Sequence, residues 1–180
     1  MNKDQGWLNV YKPKGISSFN VVYKIKKKFN LKKIGHGGTL DPLAEGVLPI
    51  AIGKTTKLIP FINKNIKEYE FKIKWCEQTT TDDSEGKVIA RSLKIPSPLE
   101  INNQILKLKG SILQKPPLAS AIKLNGKKAY QLLRANKNFQ IKERLVFLDE
   151  VALIDSQEQT SKFFIRCGKG FYIRSFARDL

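Results

Sequence analysis

Residues 35–49 read GHGGTLDPLAEGVLP and form the least regular part of the sequence. After the first two residues come Gly37, Gly38 and Gly46, and Pro42 interrupts the run. No helical or strand period is present before Val47. Glycine adopts backbone conformations that other residues avoid, whereas proline fixes φ. We therefore predict a loop of demanding geometry over residues 35–46, followed by a buried strand over residues 47–52.

The segment before this loop predicts a strand and a helix. Residues 7–11 suit a short strand that ends at the Lys-Pro-Lys-Gly run of residues 12–15, and Ser17 and Ser18 offer N-cap oxygens to a following helix. Apolar residues at intervals of three and four predict its packing face: Phe19, Val22, Ile25 and Phe29. The lysines on the other positions form either a solvated surface or one that contacts phosphates.

Further elements follow the loop. The patterns predict helices over residues 55–62, 98–108 and 129–135, and strands over residues 69–75, 119–124, 146–154 and 163–167, with a polar turn over residues 79–86. Strands and helices do not alternate strictly, which disfavours a doubly wound fold. We predict an α+β fold with a mixed, largely antiparallel sheet flanked by helices.

The charge balance points to a polyanionic partner. Thirty-three Lys and Arg against 16 Asp and Glu give a formal charge of +17 over 180 residues. Nucleic acid is the first candidate, because phosphate contacts release counterions. Charge alone does not separate RNA from DNA or anionic lipid, and a merely solvated lysine-rich surface is the plainer interpretation.

Membrane, secretion and metal signals are weak. The longest apolar run, residues 47–52, is far below the roughly 20 residues of a spanning helix. Residues 1–10 have no sustained apolar stretch, so we expect no signal peptide, no membrane partner and a cytoplasmic protein. Cys76 and Cys167 lack C-x-x-C spacing and His36 is the single histidine, so we expect two reduced thiols and no metal.

The residues around Asp41 indicate its role. An aspartate before a proline is more often an ordinary turn residue than a catalytic one. Residues 35–49, however, resemble the signature loop of the TruB-type tRNA pseudouridine-55 synthases almost position for position. Further segments resemble that family in the same order: residues 12–18 (KPKGISS), 67–69 (KEY), 81–86 (TDDSEG), 114–117 (QKPP) with Ser120, Ala121 and Lys123, and 169–175 (KGFYIRS).

The resemblance implies roles for five residues. Asp41 would be the aspartate that attacks the target nucleotide, so that the base detaches, turns and rejoins the ribose through carbon. Arg174 would pair with this carboxylate, which must stay ionised although loss of water disfavours its charge. Tyr69 would stack on the extruded base and is a candidate for removing the C5 proton, Tyr172 would line the pocket, and His36 would contact the displaced nucleotide or its neighbours.

The remaining expectations concern the residues that support the loop, the substrate and the oligomeric state. Lys12 is expected to support the loop and to belong with the substrate-binding residues, and Gly37 to let the RNA backbone approach closely. The family's substrate is the T-arm of tRNA, modified without cofactor or metal, and we expect a monomer. The competing hypothesis is a tRNA-binding or folding protein without catalysis.

The resemblance covers residues 6–180. We expect residues 1–180 to be one catalytic domain, shortened at the C-terminus and without a C-terminal RNA-binding domain, because Arg178, Asp179 and Leu180 open a motif that continues in the family.

Overall fold

A computed structural model describes residues 5–62 and 66–180 of the chain. Residues 1–4, part of the stretch for which no signal peptide is expected, lie outside the described residues. The chain divides into two units, Met1–Asn65 and Ile66–Leu180. Every strand pair in the described residues is antiparallel, and helices accompany the sheets, which confirms the α+β class.

The first unit holds a three-stranded sheet of order β1-β3-β2. Its elements are β1 (Gly6–Lys12), α1 (Ser18–Lys28), β2 (Ile34–His36), β3 (Gly46–Ile52), a 3₁₀-helix (Gly53–Leu58) and α2 (Ile59–Ile62). The strand predicted over residues 47–52 is confirmed as the central strand β3, in which Leu48, Ile50 and Ala51 are buried, whereas Val47 is exposed. The predicted loop begins later than expected, because β2 pairs with β3 as far as His36.

Helix α1 starts where the sequence predicts, but its packing face is different. Ser17 is the N-cap and its side chain accepts a hydrogen bond from the Asn20 N–H. The buried positions are Ser18 and Val21, whereas Phe19 and Phe29, both predicted to pack, are 70% and 62% exposed. The predicted face is therefore wrong at both ends, because a polar contact of Ser18, described below, fixes which side of the helix turns inward.

The second unit holds a four-stranded sheet of order β4-β11-β10-β7 and two short two-stranded sheets, β5-β6 and β8-β9. Its strands are β4 (Lys67–Lys74), β5 (Glu77–Thr79), β6 (Val88–Arg91), β7 (Gly110–Gln114), β8 (Lys123–Leu124), β9 (Lys127–Lys128), β10 (Arg144–Gln157) and β11 (Thr160–Cys167). Its helices are α3 (Pro98–Ile105) with a 3₁₀ turn (Leu106–Leu108), α4 (Ala129–Arg134) and α5 (Ile173–Asp179).

The core of this unit lies under the four-stranded sheet. It is rich in aromatic rings: Phe163 stacks on Phe71 with centroids 5.5 Å apart, and Phe176 of α5 meets Phe71 edge-on at 5.9 Å. Cys167, the last residue of β11, is 1% exposed in the same core. The packing of Phe176 anchors α5 to the sheet and so fixes the position of the helix that carries Arg174.

Two predictions for this unit are wrong or incomplete. The strand expected over residues 119–124 is reduced to Lys123–Leu124, since Ile122 instead packs with Ala129 and Ile141 in a separate small core. Several short elements are absent from the predictions, because none shows a period long enough to recognise: strands β5, β6, β7 and β9 and helix α5. None of the helices formed by residues 5–62 and 66–180 has the length and apolar character needed to cross a membrane.

Candidate active site

Asp41 lies in an irregular segment between β2 and β3, residues 37–45, which we call the Asp41 loop. Backbone hydrogen bonds hold it at both ends and in the middle. The Gly37 N–H donates to the Pro49 carbonyl at 2.7 Å, and the Gly15 N–H donates to the Pro42 carbonyl at 2.8 Å. The Ala44 N–H donates to the carbonyl of Asp41 itself at 3.0 Å. The backbone around the carboxylate is therefore fixed without regular secondary structure.

Ser18 joins α1 to this loop. Its hydroxyl accepts from the Leu40 N–H and donates to the Leu40 carbonyl, both at 2.9 Å, and the residue is 1% exposed. One side chain thus satisfies both backbone groups of the residue before Asp41. A buried backbone group without a partner is strongly unfavourable, so this pair of bonds explains why Ser18 faces inward.

Lys12 supports the loop from β1. It is fully buried, and its ammonium donates to the carbonyls of Pro13 at 2.9 Å, Ile16 at 2.8 Å and Pro42 at 3.4 Å. Burial lowers the pKa of Lys12, while the carboxylates of Asp41 and Glu45 act in the opposite direction. The arrangement gives Lys12 a structural and electrostatic role beneath Asp41; a contact with substrate stays a prediction.

His36 and Gly37 precede the carboxylate. The His36 Nδ1 lies 2.7 Å from the Gly38 carbonyl, and because a carbonyl accepts only, the proton of the neutral ring sits on Nδ1. Nε2 is then an acceptor. At Gly37 an added Cβ would lie 2.6 Å from Cδ1 of Ile62, so the missing side chain accommodates α2. Close approach of RNA at Gly37 stays a prediction.

Arg174 occupies the first turn of α5 in the second unit. Its guanidinium donates to the Thr81 carbonyl at 2.9 Å and to the Ala119 carbonyl at 3.1 Å. It also forms an ion pair with Asp83 at 3.4 Å, with side chains that are 12% and 16% exposed. Arg174 is therefore held inside the unit by two loops and is not a surface charge.

Asp83 is fixed in turn by its own loop. Its Oδ1 accepts from the Thr81 hydroxyl at 2.5 Å and from the Glu85 N–H at 3.0 Å, while Oδ2 faces Arg174. The two carboxylate oxygens thus have different tasks. One shapes the turn and the other holds the arginine, so the turn geometry determines where the guanidinium lies.

A second arginine of α5, one helical turn later, binds the same loop. Arg178 donates to Asp82 Oδ2 at 3.0 Å and to the Lys115 carbonyl at 2.8 Å, and Ser175 donates to that carbonyl at 2.7 Å. Burial raises the pKa of Asp82, and the positive charge of Arg178 opposes this rise. Arg174 and Arg178 together clamp residues 81–83 and 115–119 against α5.

The two predicted tyrosines belong to the second unit. Tyr172 directly precedes α5, and Gln114, which is 2% exposed, binds its backbone twice, at 2.8 Å to the N–H and 3.1 Å to the carbonyl. Tyr69 lies on β4 opposite Ile165 of β11 and is half-buried beside the aromatic core. Both tyrosines are thus held by regular elements or by a buried side chain.

The structure gathers the predicted residues into two groups. Lys12, His36, Gly37 and Asp41 belong to the first unit, and Tyr69, Tyr172 and Arg174 to the second. Reasoning from the sequence assigned no role to the residues that hold these groups in place: Ser18 as a loop contact, Asp82, Asp83, Gln114 and Arg178. All five lie in motif segments, but polar contacts between distant segments leave no periodic signal. No cluster of three metal-binding side chains occurs among residues 5–62 and 66–180.

The chain is similar to curated proteins named tRNA pseudouridine synthase B. It is 45% identical to the protein of Ehrlichia chaffeensis, over 97% of this chain and 60% of the relative. It is 48% identical to the protein of Wolbachia pipientis, over 97% of this chain and 50% of the relative. The protein of Bartonella bacilliformis is 47% identical, over 97% and 55%. The chain therefore spans about half to three-fifths of the length of these relatives.

Two solved structures are similar in fold. One, "Crystal Structure of a Cbf5-Nop10-Gar1 Complex", matches with a TM-score of 0.71 and 29% identity over 97% of this chain and 43% of the other. Another, an H/ACA RNP bound to a substrate RNA containing 2'-deoxyuridine, matches with a TM-score of 0.67 and 25% identity over 97% and 41%. The family model "TruB family pseudouridylate synthase (N terminal domain)" matches residues 26–173. The chain belongs to the TruB family of pseudouridylate synthases.

Proposed function

We propose that this protein is an enzyme that isomerises uridine to pseudouridine in the T loop of tRNA, at position 55, in the cytoplasm and as a monomer without cofactor or metal. Membership of the TruB family supports the reaction class. The names of the relatives favour tRNA as the substrate. Residues 1–180 carry the catalytic domain in this proposal.

One observation supports the proposal most. The loop that carries Asp41 is held by two buried polar side chains, Ser18 and Lys12, which together bind the backbone on both sides of the carboxylate. Burying a hydroxyl and an ammonium is unfavourable unless every bond is made. An ordinary turn aspartate has no need of such support, whereas a nucleophile must be held in a fixed geometry.

The reaction rearranges bonds within one nucleotide. The C1′–N1 bond of uridine breaks, the base turns, and a C1′–C5 bond forms; C5 then loses its proton and N1 gains one, so the product is an isomer of the substrate. Asp41 is the nucleophile, and attack at the sugar carbon and attack at the base are both compatible with a carboxylate. In either case the bond between Asp41 and the nucleotide breaks again by the end of the reaction, which regenerates the free carboxylate. No oxidant or second substrate is required.

Arg174 supplies the positive charge that keeps a nucleophilic carboxylate ionised in a site from which water is excluded. Asp83 prevents the guanidinium from turning away, and the carbonyls of Thr81 and Ala119 orient its plane. In this proposal, the pairing of Arg174 with Asp41 forms the working site.

In this proposal the aromatic residues bind the extruded base. A base taken out of its stack loses a few kcal/mol, and an aromatic ring recovers part of it. Tyr69 stacks on the base and is the candidate for removing the C5 proton, Tyr172 lines the pocket, and His36 contacts the displaced nucleotide or its neighbours. Sequence-selective RNA recognition favours unstacked loop nucleotides, as a T loop provides.

The test uses unmodified tRNA transcripts and maps pseudouridine at single-nucleotide resolution. We expect product at position 55 with the 180-residue chain, loss of product in Asp41→Ala, and a tRNA Kd within about threefold of wild type because the lysines remain. Asp155→Ala, an exposed residue of β10, is the matched control and keeps full activity.

Three results would contradict the proposal in different ways. Product from Asp41→Ala would remove Asp41 from the mechanism, and product at another uridine would exclude the T-loop assignment. Binding of tRNA without product from wild type would favour the alternative of a tRNA-binding or folding protein.

A further inference from the structure

The outward side of α1 carries two aromatic rings that the fold does not use. Phe19 is 70% exposed and Tyr23 is 55% exposed, and they lie one helical turn apart. Their rings are nearly parallel, at 17°, with centroids 6.4 Å apart. Other large apolar residues of this chain are equally exposed, so what distinguishes this pair is that two aromatic rings lie nearly parallel and side by side, a surface on which a further ring can stack.

The same side of the helix continues as a basic groove. Tyr23, Lys26, Lys27, Asn30 and Leu31 line a cavity of about 320 Å³. Phe19, Tyr23 and Lys26 or Lys27 follow one another at intervals of three to four residues, which places them on one face of α1, and Asn30 lies just beyond the end of the helix and lines the same groove. We call these five residues, Phe19, Tyr23, Lys26, Lys27 and Asn30, the α1 outer face.

The charge around this face has one sign. Residues 17–36 include six lysines and no Asp or Glu. Lysines in the last turn do stabilise the helix dipole, by about 0.3–1 kcal/mol each. That effect accounts for one or two cations at the helix end and does not account for exposed aromatic rings a turn earlier.

The α1 outer face also lies opposite the side that supports Asp41. Ser18 and Val21 are the buried residues of the helix, and Ser18 makes the contact with Leu40. A change on the outer face therefore leaves the contacts of the Asp41 loop intact. Binding on this face can be separated from chemistry by mutation.

We propose that the α1 outer face binds the RNA substrate at a second place, with an unpaired base stacked on Phe19 and Tyr23 and adjacent phosphates held by Lys26 and Lys27. The inference rests on the proposed function, since it takes RNA as the partner. Every base has a face that stacks on an aromatic ring, and lysine neutralises phosphate without a sequence requirement, so this surface gives affinity without selecting a base. An RNA helix alone offers phosphates but no accessible base face, which favours a loop or a single-stranded segment.

The first measurement compares the tRNA affinity of two double variants. Phe19→Ala/Tyr23→Ala is expected to raise the Kd about 5- to 150-fold with an unchanged salt dependence, because a stacking contact is uncharged. Leu99→Ala/Leu106→Ala, which truncates two similarly exposed residues of α3 and its 3₁₀ extension, is the matched control and leaves Kd unchanged.

The second measurement isolates the phosphate contacts. Lys26→Gln/Lys27→Gln is expected to reduce the slope of log Kd against log salt by about 1.4–1.8, since each phosphate contact contributes about 0.7–0.9. Lys107→Gln/Lys109→Gln removes the same charge from another exposed segment and leaves the slope closer to wild type. Equal effects in the two lysine pairs would mean that only total charge matters and would overturn the proposal.

The remaining outcomes separate other partners and the proposed function itself. The single-turnover rate at saturating protein is expected to stay at the wild-type value in all four variants. Unchanged Kd in the aromatic variant would overturn the proposal, as would binding to phosphatidylglycerol vesicles that is lost in this variant while tRNA binding is kept. A wild-type protein that binds tRNA through this face but forms no pseudouridine would refute the proposed function alone.

Discussion

Asp83 orients Arg174 through a single carboxylate oxygen, the other being used by its own turn. In Asp83→Asn the guanidinium loses its ion pair with residue 83 but keeps its bonds to the carbonyls of Thr81 and Ala119, so it can shift by a fraction of an ångström. Such a displacement near reacting atoms lowers the rate by about 100-fold. We expect a loss of this size in single-turnover pseudouridylation, with tRNA affinity within about threefold of wild type.

The control for this variant is Asp155→Asn, the same chemical change at an exposed residue of β10. It is expected to keep wild-type rate and stability. A full rate in Asp83→Asn would show that the two carbonyl contacts are enough to hold Arg174.

The burial of Asp82 predicts how the stability of the protein changes with pH. Burial raises the pKa of Asp82 in the folded protein above its ordinary value of 3.8. The folded state then binds the proton more tightly than the unfolded chain, so this residue contributes stability at low pH that is lost as the pH rises through the folded pKa. The free energy of unfolding of wild type, measured relative to Asp82→Asn, should therefore fall as the pH rises from below 3.8 through the higher pKa of Asp82 in the folded protein.

Urea denaturation of both proteins at a series of pH values measures the free energy of unfolding. The difference between the two proteins cancels the contribution of the other titrating groups. A difference that rises with pH would mean that Arg178 outweighs burial and holds the carboxylate ionised.

At the scale of the element, Ser18 couples α1 to the Asp41 loop, whereas its neighbour Ser17 only caps the helix. Ser18→Ala leaves the N–H and C=O of Leu40 without their partner and is expected to lower the free energy of unfolding by about 1–3 kcal/mol. Ser17→Ala is expected to lower it by about 1 kcal/mol.

The discriminating measurement is activity under conditions where both variants are fully folded. Ser18→Ala lowers the pseudouridylation rate, because the residue before Asp41 is no longer fixed, and Ser17→Ala leaves it unchanged. Equal rates in the two variants would confine Ser18 to a stabilising role.

The same helix shows what a local pattern predicts and what it misses. Its start at Ser17 and its length follow from capping and spacing, which depend on near neighbours. Its inward side does not, because a serine with a partner 22 residues away takes the place that the apolar pattern gives to Phe19. The strand predicted over residues 119–124 is shortened to Lys123–Leu124, because Ile122 packs with Ala129 and Ile141 in a small core.

At the scale of the whole molecule, the motifs identified the family and named seven candidate residues, yet only geometry reveals how each is held. Asp83 and Gln114 stand inside quoted motifs, but their tasks depend on Arg174 and Tyr172, which are 91 and 58 residues further along the chain. Contacts over such separations form by tertiary folding, and a single sequence carries no periodic trace of them.

The net charge of +17 makes a prediction that belongs to the molecule as a whole. If six to ten phosphates are neutralised on binding, tRNA affinity should fall about 10³- to 10⁵-fold between 50 and 200 mM salt. Fluorescence anisotropy of labelled tRNA over this range measures the slope. An affinity that is insensitive to salt would exclude phosphate contacts as the main source of binding.

Because Cys167 is buried, the reaction of its thiol can report when the second unit opens. This thiol ends β11 inside the core, and burial raises its pKa to about 12, so almost no reactive thiolate exists at neutral pH. An alkylating reagent should therefore modify half-buried Cys76 in the native protein and reach Cys167 only when the second unit opens. The labelling rate of Cys167, followed by mass spectrometry in Cys76→Ser, would time that opening without any added probe.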